Sequence, residues 1–142
     1  NWKELYTQTA IYAGDTPISF SPSFMGNSLI SFNYKGFDAS LQSQYVSRQY
    51  LDNFGIDENS LDPYFVNHLS LAYSFKLPSV KQITVGATIY NLFNTRYETN
   101  GYSQNAAVYE GSDKNQKAVI SYDPRFYPMA GTNVLAHITV RF

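Results

Sequence analysis

Five stretches of this sequence alternate apolar and polar residues at every second position: residues 28–35, 37–45, 65–75, 83–89 and 134–142. Because successive side chains of a β-strand point to opposite sides, this period predicts strands that each have one apolar face. A sixth, weaker strand is predicted at residues 5–12. No stretch has the spacing of an amphipathic helix, so the sequence predicts an all-β chain.

The side opposite the apolar one is too polar for the core of a water-soluble domain. In the second stretch it carries one carboxylate, one hydroxyl and two amides. Transmembrane barrels have this pattern, because their strands alternate lipid-facing and lumen-facing residues. The residues predicted to face a lumen are Asp38, Ser40, Gln42, Gln44, His68, Ser70, Thr84, Thr88, His137 and Arg141.

Composition favours the same interpretation. Charged residues make up 15% of the chain and aromatic residues 17%, whereas soluble domains average about 25% charged residues. The absence of a long apolar run excludes a transmembrane helix of roughly 20 apolar residues. It does not exclude a transmembrane barrel, whose apolar residues stand at alternate positions.

The connections between the predicted strands differ in length. Those at residues 35–36 and 77–81 are short, whereas those at 13–27, 47–64 and 92–133 are long. The long ones are rich in Gly, Pro, Asn, Asp and Ser, which predicts loops rather than further strands. Short turns at one end and long loops at the other are typical of antiparallel up-and-down barrels of the outer membrane. The final strand would then run inward and end at Phe142 on the periplasmic side.

Charge and cysteine content exclude several other classes. The formal charge is −1, so the chain has no basic surplus for binding nucleic acid. It has no Cys, which excludes disulfide frameworks, thiolate zinc sites and cysteine nucleophiles. No catalytic triad, phosphate loop or dinucleotide motif indicates an enzyme or a cofactor. The sequence begins at Asn1 with no signal segment, and we expect a mature protein or a fragment.

Three segments resemble one protein family. The first is Tyr90-Asn91-Leu92-Phe93-Asn94, with Tyr97, Asn100 and Gly101 after it. The others are residues 45–53 and residues 125–133, which lead into the strand that stops at Phe142. In this order they resemble the C-terminal barrel strands of TonB-dependent outer-membrane receptors.

The resemblance implies a 22-stranded barrel of the bacterial outer membrane whose lumen is plugged by an N-terminal domain. Residues 1–142, with about six strands, would then be the last quarter of the barrel, without the plug. The family takes up iron chelates, haem, cobalamin or glycans with energy delivered through TonB. The implied partners are outer-membrane lipid, the rest of the barrel with its plug, and the TonB complex through the missing N-terminal part. A surface lipoprotein over the loops is left open.

The long connection at 92–133 holds the residues predicted to touch a transported ligand, because Tyr and Phe offer flat faces for a chelate or a sugar. They are Tyr97, Tyr102, Tyr109, Tyr122, Phe126 and Tyr127. The alternative is that these rings pack the loop onto its neighbours. Asn91 and Asn94 are interpreted as structural, since Asn tolerates unusual backbone angles at turns. Phe142 is predicted to be buried in lipid and, as the resemblance implies, to be read by the barrel assembly machinery.

No metal site is predicted. His68 and His137 lack further ligands at suitable spacing and are interpreted as ordinary polar residues. Asp57, Glu58 and Asp62 offer oxygen ligands for Ca²⁺ on a loop, but their spacing matches no known ligand pattern, which favours solvated charges.

Two other architectures stay open. A complete eight-stranded barrel with a structural or adhesive role would need two more strands within segments that are predicted to be loops. A soluble β-sandwich that binds carbohydrate would require the polar residues at positions 38–44 to face a core, or their apolar neighbours to face water.

Overall fold

The computed structural model describes residues 15–110 and 117–142, with the side chains of all of these except 105–110 and 117–120. Within these residues the chain forms strands and one short 3-10 helix, Asp57–Asn59. The strands are β1 (Met25–Tyr34), β2 (Phe37–Val46), β3 (Gln49–Tyr50), β4 (Ser60–Leu61), β5 (Tyr64–Leu77), β6 (Val80–Tyr90), β7 (Glu98–Glu110), β8 (Lys117–Pro128) and β9 (Asn133–Arg141). In the described part of the chain, no helix is long and apolar enough to span a membrane.

The five long strands predicted from alternation form one antiparallel sheet in the order β1-β2-β5-β6-β9. The prediction of an all-β chain with antiparallel strands is therefore confirmed. Strands β1 and β9 are the two edges, so this sheet is open within the described residues. The weaker strand predicted at residues 5–12 lies outside the described residues.

Two tight turns lie at one end of the sheet. Lys35 and Gly36 join β1 to β2 with φ angles of 48° and 82°, the left-handed pair that a two-residue hairpin favours. A side chain at Gly36 would also meet the Ser74 carbonyl oxygen at 2.5 Å. The β5–β6 turn and the last residue of β9 lie at the same end. We call it the short-turn end and the opposite one the long-loop end.

The prediction that residues 92–133 form a loop is wrong. This stretch contains β7 and β8, which pair only with each other as a separate two-stranded sheet, the β7–β8 hairpin. Among its described residues only Gly101 is buried. The sequence of β8 does alternate, since Ile120, Tyr122 and Phe126 stand among Ser121, Asp123 and Arg125. Pro124 and the many Gly, Asn, Asp and Ser residues of the stretch nevertheless favour a loop over a strand, which is why the sequence predicts a loop here. The segment at 47–63 likewise contains the paired short strands β3 and β4.

Apolar burial is concentrated at the long-loop end. The buried apolar residues are Val46, Leu51, Leu61 and Val66. The β7–β8 hairpin packs here, with β7 against β4 and β8 against the 3-10 helix. Gly101 allows this approach, because a Cβ there would lie 3.3 Å from a Leu51 methyl and 2.8 Å from the Arg125 carbonyl oxygen. This small core holds the hairpin on the 47–63 segment.

The register places most apolar residues of the five long strands on one side of the main sheet, the apolar face. Leu29, Leu135 and Val66 lie on the other side, opposite Gln42, Thr88 and Gln44. One row across the strands is Phe32, Ala39, Leu71, Ala87 and Ala136, and the next is Ile30, Leu41, Leu69, Ile89 and Val134. Paired residues of antiparallel strands share a side, so these rows form a continuous surface. The surface is uncovered: Ile30 is 65% exposed and Ile138 70% exposed.

Candidate functional site

The opposite side of the main sheet, the polar face, carries all ten residues predicted to face a lumen. The pairing connects them across strands: Asp38 lies opposite Ala72, Ser40 opposite Ser70, and Gln42 opposite His68. Further along the sheet, Ser70 lies opposite Thr88 and Gln82 opposite Arg141. The sequence pattern and the register therefore agree on which residues share this face.

A shallow cavity of about 400 Å³ lies on the polar face. Its polar lining includes Asn33, Asp38, Ser40, Ser70, Thr88 and His137. The Asn33 amide donates a hydrogen bond to the Asp38 carboxylate. The hydroxyls of Ser70 and Thr88 are hydrogen bonded at 3.0 Å. Donors and acceptors are mixed and a single carboxylate is present, so the cavity suits a neutral hydrogen-bonding partner such as polypeptide backbone.

Gly86 makes room for the His137 ring in this cavity. The two residues are partners across β6 and β9. A Cβ at position 86 would lie 2.5 Å from His137 Cε1, 2.7 Å from its Nε2, and 3.2 Å from the Leu71 carbonyl oxygen. A glycine inside a strand commonly marks such a close approach.

Gly86→Ala is expected to lower the free energy of unfolding by about 1–3 kcal/mol, the usual range for overpacking. The clash is mainly with a side chain, so the double variant Gly86→Ala with His137→Ala should recover most of the loss. Thermal unfolding of the purified protein measures both. A double variant no more stable than Gly86→Ala alone would contradict this assignment of Gly86.

Asn91 ties the end of β6 to the base of the hairpin. It is 2% exposed and has a φ of 51°. Its side-chain nitrogen, Nδ2, donates to the carbonyl oxygens of Thr95 at 2.9 Å and Ala130 at 3.1 Å. Its side-chain oxygen, Oδ1, accepts from the Thr95 N–H at 2.8 Å. Its backbone N–H donates to His68 Nδ1 at 3.1 Å. The side chain thus bridges the segments before and after the hairpin.

Asn94 and Thr132 complete this base. The Asn94 side-chain oxygen accepts from the Thr132 N–H at 3.1 Å, and the Thr132 hydroxyl donates to the Asn91 carbonyl at 2.6 Å. Asn94 has a φ of 53°, as unusual as that of Asn91. Both residues bond nearby backbone in left-handed conformations, which is the structural role that the sequence predicts.

The aromatic residues predicted to touch ligand separate into two groups. Tyr102 and Tyr127 stand together with ring centroids 6.2 Å apart, 45% and 55% exposed. Tyr97 instead packs on Tyr64, with centroids 4.6 Å apart. The backbone of Tyr109 lies in β7, but its side chain is outside the described ones.

The remaining two rings lie on the side of the hairpin that faces the 47–63 segment. Phe126 pairs with Gly101, the glycine that contacts Leu51. Tyr122 is half-buried, and burial together with the nearby Asp52 carboxylate raises the pKa of its phenol. Tyr102 pairs with Arg125 on the other side of the hairpin. Packing therefore accounts for Tyr97 and Tyr122, whereas Tyr102 and Tyr127 offer an open surface. Phe126 faces the 47–63 segment but stays 41% exposed.

Arg48 organises the carboxylates of the 47–63 segment. Its guanidinium lies 3.1 Å from Asp62 and 3.9 Å from Asp57, and it donates to the Ser60 hydroxyl at 2.7 Å. Tyr50 donates to Asp57 at 3.1 Å, which raises the pKa of the phenol. In the part of the chain that the structure describes, no three His, Cys, Asp or Glu residues group as metal ligands. Asp57 and Asp62 instead neutralise an arginine.

Two buried amides were not found by sequence reasoning. Asn59 is fully buried and donates to the Asp52 carboxylate at 2.6 Å. Asn67 is 3% exposed and accepts from the Ser43 hydroxyl at 2.6 Å. Their sequence neighbourhoods are those of an exposed loop and of a strand, and neither contains a local signal of burial.

The chain was compared with protein-family models, with curated proteins and with solved structures, and none of the three comparisons found a match.

Proposed function

We propose that this chain is a C-terminal wall segment of a TonB-dependent receptor in the bacterial outer membrane. The observation that carries the proposal is the two-sided main sheet, with a continuous uncovered apolar face and a polar face behind it. Water-soluble monomers rarely expose apolar surfaces of this extent. A strand between lipid and a polar lumen requires both faces.

The aromatic residues on the apolar face stand at the separation that a bilayer needs. On β5, Phe65 lies near the long-loop end and Phe75 near the short-turn end. Ten residues correspond to about 34 Å along a strand. At a strand tilt of about 40° this is a height of about 26 Å, close to the roughly 25 Å apolar band of outer-membrane barrels.

One row of polar residues, Ser28, Ser43 and Asn67, interrupts the apolar face inside this span. The Ser43 and Asn67 side chains are hydrogen bonded to each other, and Asn67 is buried. The Asn67 carbonyl also accepts from the Leu92 N–H at 2.8 Å. The Asn67 side-chain nitrogen is buried without a hydrogen-bond partner and Ser28 is exposed, so this row is a polar exception within the apolar face.

In a receptor the polar face would line the lumen, and its cavity would take backbone of the plug domain. The hairpin would stand among the outer loops, with Tyr102 and Tyr127 offering two neighbouring exposed rings to an iron chelate, haem, cobalamin or a glycan. TonB would act through the plug, outside these 142 residues. We assign no chemical reaction to the chain itself. It would form part of the barrel wall, of the lumen surface and of the outer loops that cover the barrel.

Two alternatives make different demands on the same sheet. An eight-stranded barrel needs the hairpin strands in its wall, but β7 and β8 pair only with each other in the described residues. A soluble sandwich needs a second sheet over the apolar face, which no described element provides. The open edges β1 and β9 favour continuation into a larger sheet.

The deciding experiment is the intact mass of the native protein extracted from membranes, by denaturing gel and mass spectrometry. A mass of roughly 70–110 kDa leaves room for about 22 strands and a plug, and is the result we expect. A native mass near the 16.1 kDa of this sequence would overturn the receptor proposal and favour a small barrel or a sandwich.

A further inference from the structure

Basic residues gather at the short-turn end of the main sheet. Lys35 lies in the β1–β2 turn, Lys76 and Lys81 flank the β5–β6 turn, and Arg141 ends β9. Among the described residues, the one carboxylate side chain in this half of the sheet is Asp38, which is hydrogen bonded to Asn33. The chain as a whole has a charge of −1. The positive charge is therefore a local excess.

Lys76 and Lys81 lie at an irregularity of the β5–β6 pairing, between Phe75 and Leu77, so strand alternation does not assign Lys81 to either face. Lys35 borders the apolar face. The Lys35 ammonium lies 5.2 Å from the centroid of the Tyr34 ring, a cation–π contact. Long basic side chains at such a border keep their charge at the polar interface while their stems cover apolar surface.

A shallow cavity of about 500 Å³ at this end is lined by both basic and apolar residues. Lys76 and Lys81 line it together with Leu77, Val80 and Phe142. Both lysines are exposed, and the Phe142 ring is 83% exposed. No carboxylate side chain is among its described lining residues. In the proposed receptor Phe142 is the last residue, so its backbone carboxylate also borders the cavity, and the two ammonium groups outnumber it. A net positive charge next to an open apolar wall suits a molecule that has a phosphate at one end and hydrocarbon at the other.

We propose that this cavity binds an anionic phospholipid of the inner leaflet. The lipid phosphate would lie between the ammonium groups of Lys76 and Lys81, and an acyl chain would run along Leu77 and Phe142 onto the apolar face. The inference rests on the proposed function, since it needs the apolar face in a bilayer. Charge complementarity selects an anionic headgroup over a zwitterionic one.

The test uses the full-length protein reconstituted in phosphatidylcholine vesicles with or without one quarter phosphatidylglycerol. After detergent extraction, native mass spectrometry counts the lipids of each class retained per protein. Each lysine near an anionic surface contributes roughly fivefold in affinity. The unaltered protein should therefore retain phosphatidylglycerol over phosphatidylcholine by roughly twentyfold, and the Lys76→Gln, Lys81→Gln double variant by less than about twofold.

A matched control removes two positive charges from the other end, as Arg96→Gln with Arg125→Gln, and should keep the full preference. Equal loss in the control pair would show non-specific attraction and overturn the lipid site. An unchanged preference in the lysine pair would also overturn it. If the protein floats with both kinds of vesicle but shows no preference, the lipid site fails and the membrane proposal stands. If it floats with neither, both fail.

Discussion

Replacing Ala87 with Arg is expected to lower the free energy of unfolding of the membrane-inserted protein by about 2–4 kcal/mol, the cost of a basic side chain at the lipid-facing midplane of a barrel. Ala87 lies in the middle of β6, between Leu71 and Ala136 in a row of the apolar face. In the proposed receptor its side chain would point into hydrocarbon. Urea unfolding in phospholipid vesicles, followed by circular dichroism, measures the loss.

The matched control is the same substitution on the other side of the sheet. Ala72 lies between Asp38 and Gly86 on the polar face. An arginine there would meet hydrogen-bonding groups and the Asp38 carboxylate in place of hydrocarbon, so Ala72→Arg should cost less than about 1 kcal/mol. A cost at Ala72 equal to that at Ala87 would contradict the assignment of the two faces to lipid and lumen.

A soluble sandwich would also show a large cost at Ala87, because that residue would then lie in a core. The two cases differ in the solvent that the protein requires. A sandwich stays folded and monomeric in plain buffer, and Ala87→Arg would still cost more free energy of unfolding there than Ala72→Arg. The proposed wall segment requires lipid or detergent, since its apolar face and strand edges would otherwise drive aggregation.

Alternation predicts the main sheet well, because successive side chains along a strand point to opposite faces whatever the strand pairs with. This is why residues as far apart in sequence as Asp38 and Arg141 could be assigned to one face before any pairing was known. The same reasoning fails for the hairpin. Strand β8 alternates at Ile120, Tyr122 and Phe126, but the Gly, Asn, Asp and Pro residues of β7 and β8 are typical of loops and outweigh that signal.

Contacts between distant segments are the part that the sequence does not reveal. The fit of His137 over Gly86 depends on the register of β6 against β9, which no local pattern specifies. The burial of Asn59 depends on packing of the hairpin against the 47–63 segment. Sequence reasoning named six aromatic residues as ligand contacts, but only packing distinguishes the outward pair Tyr102 and Tyr127 from rings that hold the loops together.

Asn91→Asp is expected to destabilise the protein most among single substitutions at the hairpin base, by about 4 kcal/mol. The change keeps the shape of the side chain but replaces its NH2 group, which has two donor hydrogens, with a carboxylate oxygen that can only accept. The new carboxylate would face the carbonyl oxygens of Thr95 and Ala130, which now accept hydrogen bonds at 2.9 and 3.1 Å. Because the site is 2% exposed, water cannot screen this repulsion.

Two further substitutions at this position separate the stability that comes from the side-chain hydrogen bonds from the cost of the positive φ angle. Asn91→Gly keeps the positive φ and removes only the side-chain bonds, at a cost of about 2 kcal/mol. Asn91→Ala should cost about 1 kcal/mol more, because alanine disfavours a φ of 51°. The exposed Asn94→Gly serves as the control, with an expected loss of about 0.5 kcal/mol.

Hydrogen exchange locates the effect. Since Asn91 bridges the segments before and after the hairpin, its loss should accelerate exchange in β7 and β8 by tenfold or more, where each factor of ten corresponds to about 1.4 kcal/mol. Exchange in β2 and β5 should change little, because their ladders do not use this residue. Uniform acceleration over the whole sheet would contradict a local role and make Asn91 part of the global folding unit. An Asn91→Asp variant as stable as Asn94→Gly would refute the buried network itself.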